Sequence, residues 1–159
     1  KKKVIIIGPA WPLRGGLATF DERLAKQFTQ EGFDVTLYTF SLQYPNFLFP
    51  GSPVLEETAP TNLKIKVCIN SINPFNWIRI SKKVNKLNPE FLILRYWSPI
   101  LCLPYFFIGL FLNKKIKVIG LIDNWTNHEK IPLEGLLRKL MVKICHSFIT
   151  FSDNVGDQL

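Results

Sequence analysis

Two short stretches of this chain hold residues whose type and spacing suit them to chemistry. One is Asp123-Asn124-Trp125-Thr126-Asn127-His128-Glu129-Lys130, which contains one of only two histidines in 159 residues. An imidazole gives or takes a proton near neutral pH, so His128 is the candidate catalytic group, with Glu129 or Asp123 near enough in sequence to orient it. A solvated loop histidine has the same appearance. The other stretch is Arg14-Gly15-Gly16, directly ahead of a helical pattern. Glycines there bare the first N–H groups of the helix, whose dipole favours an anion by roughly 0.3–1 kcal/mol, and Arg14 adds a mobile positive charge. A tight turn with nothing bound would use the same glycines. The surrounding GPAWPLRGG is not the dinucleotide pattern G-x-G-x-x-G, nor a P-loop, since no Gly-Lys-Ser/Thr follows. His146 comes after an amphipathic helix and reads as structural. No Ser-His-Asp arrangement, metal-ligand spacing or carboxylate pair stands out.

Both stretches are loops, and the elements around them decide where they go. Residues 3–8 form an apolar run without alternation, as in a strand buried on both faces. Residues 17–31 are helical, with Leu17, Phe20, Leu24 and Phe28 on one face and Arg23, Lys26, Gln27 and Gln30 turned outward. Gly32 suits the left-handed turn of a C-terminal cap. Residues 35–40 are a second strand. Residues 41–63 carry four prolines and no helical period, a loop length that usually serves binding or movement. Its part 42–50 is aromatic, and either packs on the domain or touches a sugar, lipid or partner.

A third strand spans 64–69. Asn73-Pro74 then caps and opens a helix with Trp77, Ile80, Val84 and Leu87 on its buried stripe. Residues 91–95 are a fourth strand. Ser98-Pro99 repeats the capping device and opens an apolar helix over 100–112, with a kink expected at Pro104. Residues 116–122 and 148–151 are the fifth and sixth strands. Between them an amphipathic helix over 133–145 places Leu133, Leu136, Leu137, Leu140, Met141 and Ile144 on one side, and Ser152 can cap a further helix. Alternating strands and helices imply an α/β, Rossmann-like, doubly wound parallel sheet, with strand order 3-2-1-4-5-6 from right-handed crossovers. Ligands of such sheets bind outside the carboxyl ends of the strands, which selects the loops 9–16, 41–44, 96–98 and 123–130.

Composition narrows the setting. The chain is 47% hydrophobic, too apolar for disorder and long enough for one domain. Its net charge of +8 favours anionic partners, although the lysines are scattered and only Lys1-Lys2-Lys3 form a run. Nucleic acid has only that charge in its favour and is not expected as a partner. Cys68, Cys102 and Cys145 show neither a disulfide framework nor zinc spacing, which suits a reducing cytoplasm. No secretory signal is present, and the missing initiator Met and the helix-like end read as a fragment. As a helix, 100–112 would be about 20 Å long against a hydrocarbon core of about 30 Å, so it does not span a membrane. It is either buried or laid against a membrane surface beside Lys114, Lys115 and Lys117.

Taken together, KVIIIGPAWPLRGGLATFDERLAKQFTQEGFDVTLYTF, LRYWSP, DNWTNHEK and FITFSDNV resemble the N-terminal domain of family 4 glycosyltransferases. The likeness is to a bacterial branch whose opening reads P-x-R-G-G-[IL]-A-x-F, and it covers essentially the whole chain. It implies the N-terminal half of a GT-B fold, in which two Rossmann-like domains face each other across a cleft. Residues 1–159 would then be the acceptor-side domain, and the domain that grips the nucleotide sugar, with its E-x7-E motif, is absent from this chain. The implied reaction is transfer of a sugar, with retention, from a nucleotide-sugar donor to a glycan or lipid-linked acceptor. No metal or other cofactor is implied. The implied place is cytoplasmic, with peripheral contact at the inner face of the membrane.

The resemblance puts His128 near the reacting sugar as the catalytic residue, and Arg14, Gly15, Gly16 and Glu129 at the substrate or its phosphates. Tyr44, Trp97, Asn124 and Trp125 become acceptor-side candidates. The branch often has histidine where Asp123 stands and proline where Asn127 stands, while the His-Glu pair matches. The isolated fragment is expected to turn nothing over. The alternative is a stand-alone Rossmann-like module that binds an anion or nucleotide without catalysis. A nicotinamide-dependent oxidoreductase is disfavoured by the missing glycine fingerprint and by Thr39-Phe40-Ser41, where a ribose-binding acid would stand.

Overall fold

The computed structural model describes residues 1–44, 58–125 and 133–158. Its six strands are β1 (Lys3–Ile7), β2 (Asp34–Leu42), β3 (Ile65–Asn70), β4 (Phe91–Tyr96), β5 (Lys117–Ile122) and β6 (Ser147–Thr150). All pairings are parallel, in the order β3-β2-β1-β4-β5-β6, as the crossover rule predicts. The helices are α1 (Gly16–Gln30), α2 (Pro74–Leu87), α3 (Cys102–Leu110), α4 (Glu134–Ile144) and the single turn α5 (Asp153–Gly156).

The sheet is covered on both faces, which is why its central strands read as unbroken apolar runs. Val4, Ile6, Val35, Leu37, Ile93 and Leu121 pack with Ala25 of α1 on one face. Ile5, Ile7, Tyr38, Leu92 and Leu94 pack on the other with Trp77 and Ile80 of α2, Tyr105 and Ile108 of α3 and Met141 of α4. Each fully buried aliphatic side chain contributes roughly 1.5–3 kcal/mol, so these two layers carry the fold.

Local signals explain most element ends. Asn73 accepts the Asn76 N–H at 3.2 Å, and Pro74 follows as the first helical residue. Gly32, at φ +90°, closes α1 with a Schellman pair: its N–H donates to Thr29 O and that of Phe33 to Phe28 O. Ser152 accepts the Val155 N–H at 3.4 Å at the start of α5.

Three expectations need correction. The helix expected over 100–112 is a 3-10 turn (Pro99–Leu101) followed by α3, and the Ser98 side chain caps nothing. Pro104 falls in the first turn of α3, where a missing N–H is harmless, so the irregularity precedes it. The buried stripe of α1 is Ala18, Asp21 and Ala25, while Phe20 is exposed and Leu17, Leu24 and Phe28 are only half-covered. Small residues face the sheet because α1 lies close to it. On α4 only Met141 is fully buried, and Leu133 and Leu136 are exposed. That helix leans on α3 through Ile144, whose Cβ would lie 2.8 Å from a Cβ at Gly109.

Candidate functional site

The parallel sheet sends the ends of β1, β4 and β5 to one edge, with β4 between the other two. The carboxyl ends of β1 and β5 are therefore about 10 Å apart, two strand spacings. His128 and Glu129 lie outside the described residues, as do the aromatic residues after Tyr44.

The loop after β1 is anchored near its start. Thr39 of β2 accepts the Ala10 N–H at 3.0 Å and donates its hydroxyl to Ala10 O at 3.2 Å. Glu22 of α1 accepts the Trp11 N–H at 2.8 Å. The loop reaches α1 through Gly15, whose φ of +138° is a conformation only glycine adopts without strain. No side chain caps this helix, and no acid stands in its first turn. A Cβ on Gly15 or Gly16 would meet nothing within 4 Å, so the space over the helix start is open. Arg14 is exposed beside it. The three residues singled out from sequence are thus together at the rim, around an uncapped positive helix end.

The loops after β2 and β4 meet at Tyr44 and Trp97. The indole N–H of Trp97 donates to the Tyr44 hydroxyl at 2.5 Å, and its ring stands edge-on to Phe40. Burial raises the Tyr44 phenol above its ordinary range. After β5, Asn124 is exposed, but Trp125 turns inward. Its ring packs on Tyr96 and Phe148 under the Arg138 guanidinium, which also donates to Trp125 O at 2.9 Å. Asn124 thus faces solvent at the rim, whereas the ring of Trp125 is spent on packing.

Sequence reasoning missed the most polar feature of this edge. Arg95, the penultimate residue of β4, is 2% exposed and lies between Asp21 of α1 and Asp123 just after β5. Its Nη2 donates to Asp123 Oδ1 at 3.0 Å. Its Nη1 stands 3.6 Å from Asp21 Oδ1, an ion pair too long for a hydrogen bond, and neither Asp21 oxygen has a hydrogen-bond partner among the described residues. Burial pushes the Asp21 carboxyl up to about 7, against the opposing pull of Arg95. Phe20 and Phe151 cover the guanidinium, with ring centroids 4.6 and 5.0 Å from its carbon. Gly8 makes room: a Cβ there would lie 2.3 Å from Asp21 Oδ2. The signal was present in the sequence as a lone arginine in an apolar strand and an acid on the apolar stripe of a helix.

The three thiols are free, and burial raises Cys102 and Cys145 to about 12, which leaves them unreactive. Among the described residues no helix is long and apolar enough to cross a membrane.

Comparison with known proteins found no matching family model and no matching curated protein. Solved structures do match in fold. A lipopolysaccharide outer core galactosyltransferase, WaaB, in its apo form superposes with a TM-score of 0.66 at 13% identity, over 98% of this chain and 41% of that one. An α-glucosyltransferase in complex with UDP and a 13-mer DNA gives 0.56 at 16% identity, over 97% and 38%. A putative UDP-N-acetylglucosamine 2-epimerase from Listeria monocytogenes gives 0.55 at 12% identity, over 99% and 41%. The chain spans about two fifths of the length of these proteins. At such identities the likeness is one of fold, and the Rossmann-like class with its strand order is the part it establishes. One of these proteins carries DNA, so the fold gives no ground for excluding nucleic acid, and that exclusion is withdrawn.

Proposed function

We propose that this chain is the acceptor-side domain of a family 4 glycosyltransferase of bacterial type, which moves a sugar with retention from a nucleotide sugar to a glycan or lipid-linked acceptor. The observation that carries this reading is the uncapped start of α1, with Gly15, Gly16 and Arg14 open at the carboxyl edge of the sheet. Departure of a nucleoside diphosphate builds negative charge on phosphate. Fixed N–H groups and a cation stabilise that charge best where a second domain excludes water. Support also comes from the sequence resemblance and from the glycosyltransferases among the fold matches.

In this reading His128 hydrogen-bonds the transferred sugar or positions the acceptor hydroxyl, and Glu129 holds it or the substrate. Tyr44, Trp97 and Asn124 form the acceptor side. No metal takes part, the donor is gripped mainly by a second domain, and the enzyme works in the cytoplasm with contact at the inner membrane face. Whole protein given a panel of nucleotide sugars should release the nucleoside diphosphate, and residues 1–159 alone should release none. Turnover by the isolated chain would contradict the division of labour. The alternative, a binding module without catalysis, predicts nucleotide binding by the whole protein with no turnover on any donor.

A further inference from the structure

We infer that Asp123 is a carboxylate that receives sugar hydroxyls at the rim, aimed from below by the buried Arg95. This rests on the transferase reading, because it takes the ligand at this edge to be a pyranose.

Asp123 is the member of the buried cluster that reaches solvent. Its side chain is 34% exposed, against 2% for Arg95 and 0% for Asp21. Oδ1 is held by Arg95 Nη2, and the backbone N–H of Asp123 is tied to Tyr96 O at 3.0 Å. The residue is thus fixed through both backbone and side chain, and among the described residues Oδ2 has no hydrogen bond. A carboxylate held this way accepts a hydroxyl without first giving up freedom, and hydrogen bonds to an ionised acceptor are the stronger kind.

The cost of the cluster argues that it is not there for stability. A buried ion pair is often no better than apolar side chains of the same volume. Here Arg95 Nε and Nη1 are buried without hydrogen-bond partners among the described residues. Gly8 gives up a side chain, α1 puts Asp21 on its sheet-facing stripe, and Phe20 and Phe151 leave the core to cover the guanidinium. Four segments converge on one cation, and what emerges at the ligand edge is the Asp123 carboxylate. Burial lifts the Asp21 carboxyl to about 7, so toward and below that pH Asp21 competes less for the charge of Arg95.

The hydroxyl can belong to the donor sugar or to an acceptor sugar, and the test separates the two. The whole protein, with its aspartate carboxyls labelled with carbon-13, is titrated with UDP, UDP-glucose, UDP-N-acetylglucosamine and the methyl glycosides of glucose and galactose. A sugar-bearing probe should move the Asp123 carboxyl resonance saturably. Movement by a UDP-sugar alone assigns the donor, and movement by a methyl glycoside assigns the acceptor. Asp123→Asn keeps an oxygen for Arg95, and should weaken the same probe roughly tenfold or more while leaving the affinity for UDP unchanged. Arg95→Lys keeps the cation but not the aim, and should weaken that probe too. A purely structural role would move stability and not these affinities.

The inference is overturned if Asp123→Asn binds every probe like the parent, or if no sugar moves the resonance. Should UDP still shift the Gly15 and Gly16 amides in that event, this assignment falls alone. Should no probe shift any rim amide, the transferase reading falls with it.

Discussion

At the residue scale, Asp21 links buried charge to pH. Its ordinary value is 3.8 and its folded value about 7, so between these the folded chain holds a proton that the unfolded chain has lost. Stability therefore falls as pH rises from about 4 to 7, by up to roughly 4 kcal/mol, and levels off above. Denaturant unfolding across that range should show the slope in the parent and a flatter profile in Asp21→Asn. The two rim glycines separate conformation from space. Gly15→Ala meets no neighbour but forces alanine to φ +138°, and should cost at least about 1 kcal/mol in urea unfolding. Gly16→Ala, at the first helical position and also unobstructed, should leave stability equal or up to about 1 kcal/mol higher. It should nonetheless weaken UDP binding measured by calorimetry, because the added methyl fills the anion's space.

At the element scale, strands were more legible in the sequence than helix faces. The runs at 3–8, 35–40 and 91–95 could only be buried strands, and their connections fixed the order. The face of α1 misled, because its large residues Phe20, Leu24 and Phe28 mark an apolar side while close packing on the sheet needs the small ones. Ala18 and Ala25 carry little weight in an apolar pattern, and Asp21 counts against it. Its burial becomes legible only once Arg95 is seen to sit opposite, and no local pattern pairs residues 74 positions apart in the chain. The apolar run at 100–112 concealed its own break, since a proline directly after Ser98 allows either a cap or a 3-10 turn. Gly109 gives an element-scale test. Alanine there improves helix propensity by about 1 kcal/mol, but its Cβ would press on Ile144 at 2.8 Å. Gly109→Ala should destabilise by roughly 1–3 kcal/mol. Joined with Ile144→Ala, its added cost should disappear in a double-mutant cycle read by thermal unfolding.

At the scale of the molecule, one sheet assembles a complete core and gathers the candidate site at a single edge. The rim carries an uncapped helix start, a tethered loop, an aromatic pair and a carboxylate aimed by a buried guanidinium, all on one edge. That Gly15, Gly16, Arg14, Tyr44 and Trp97 lie at this edge was legible because the carboxyl-end rule selects their loops without a motif, whereas their roles rest on the resemblance and the proposal. Arg95 and Asp21 were not legible, because their meaning lies in packing. On the proposed transferase reading this rim faces a second domain, and the whole protein is expected to contain a βα domain with a glutamate pair.

The most direct test is nucleoside diphosphate release by the whole protein with each of a panel of nucleotide sugars, for the parent and for His128→Ala. The account predicts release with at least one donor, and a loss of about a hundredfold or more in the variant, the range for a positioned catalytic group. Release that is undiminished in His128→Ala would remove that residue from the mechanism. Absence of release with every donor would contradict the central claim that this rim belongs to a sugar-transferring enzyme.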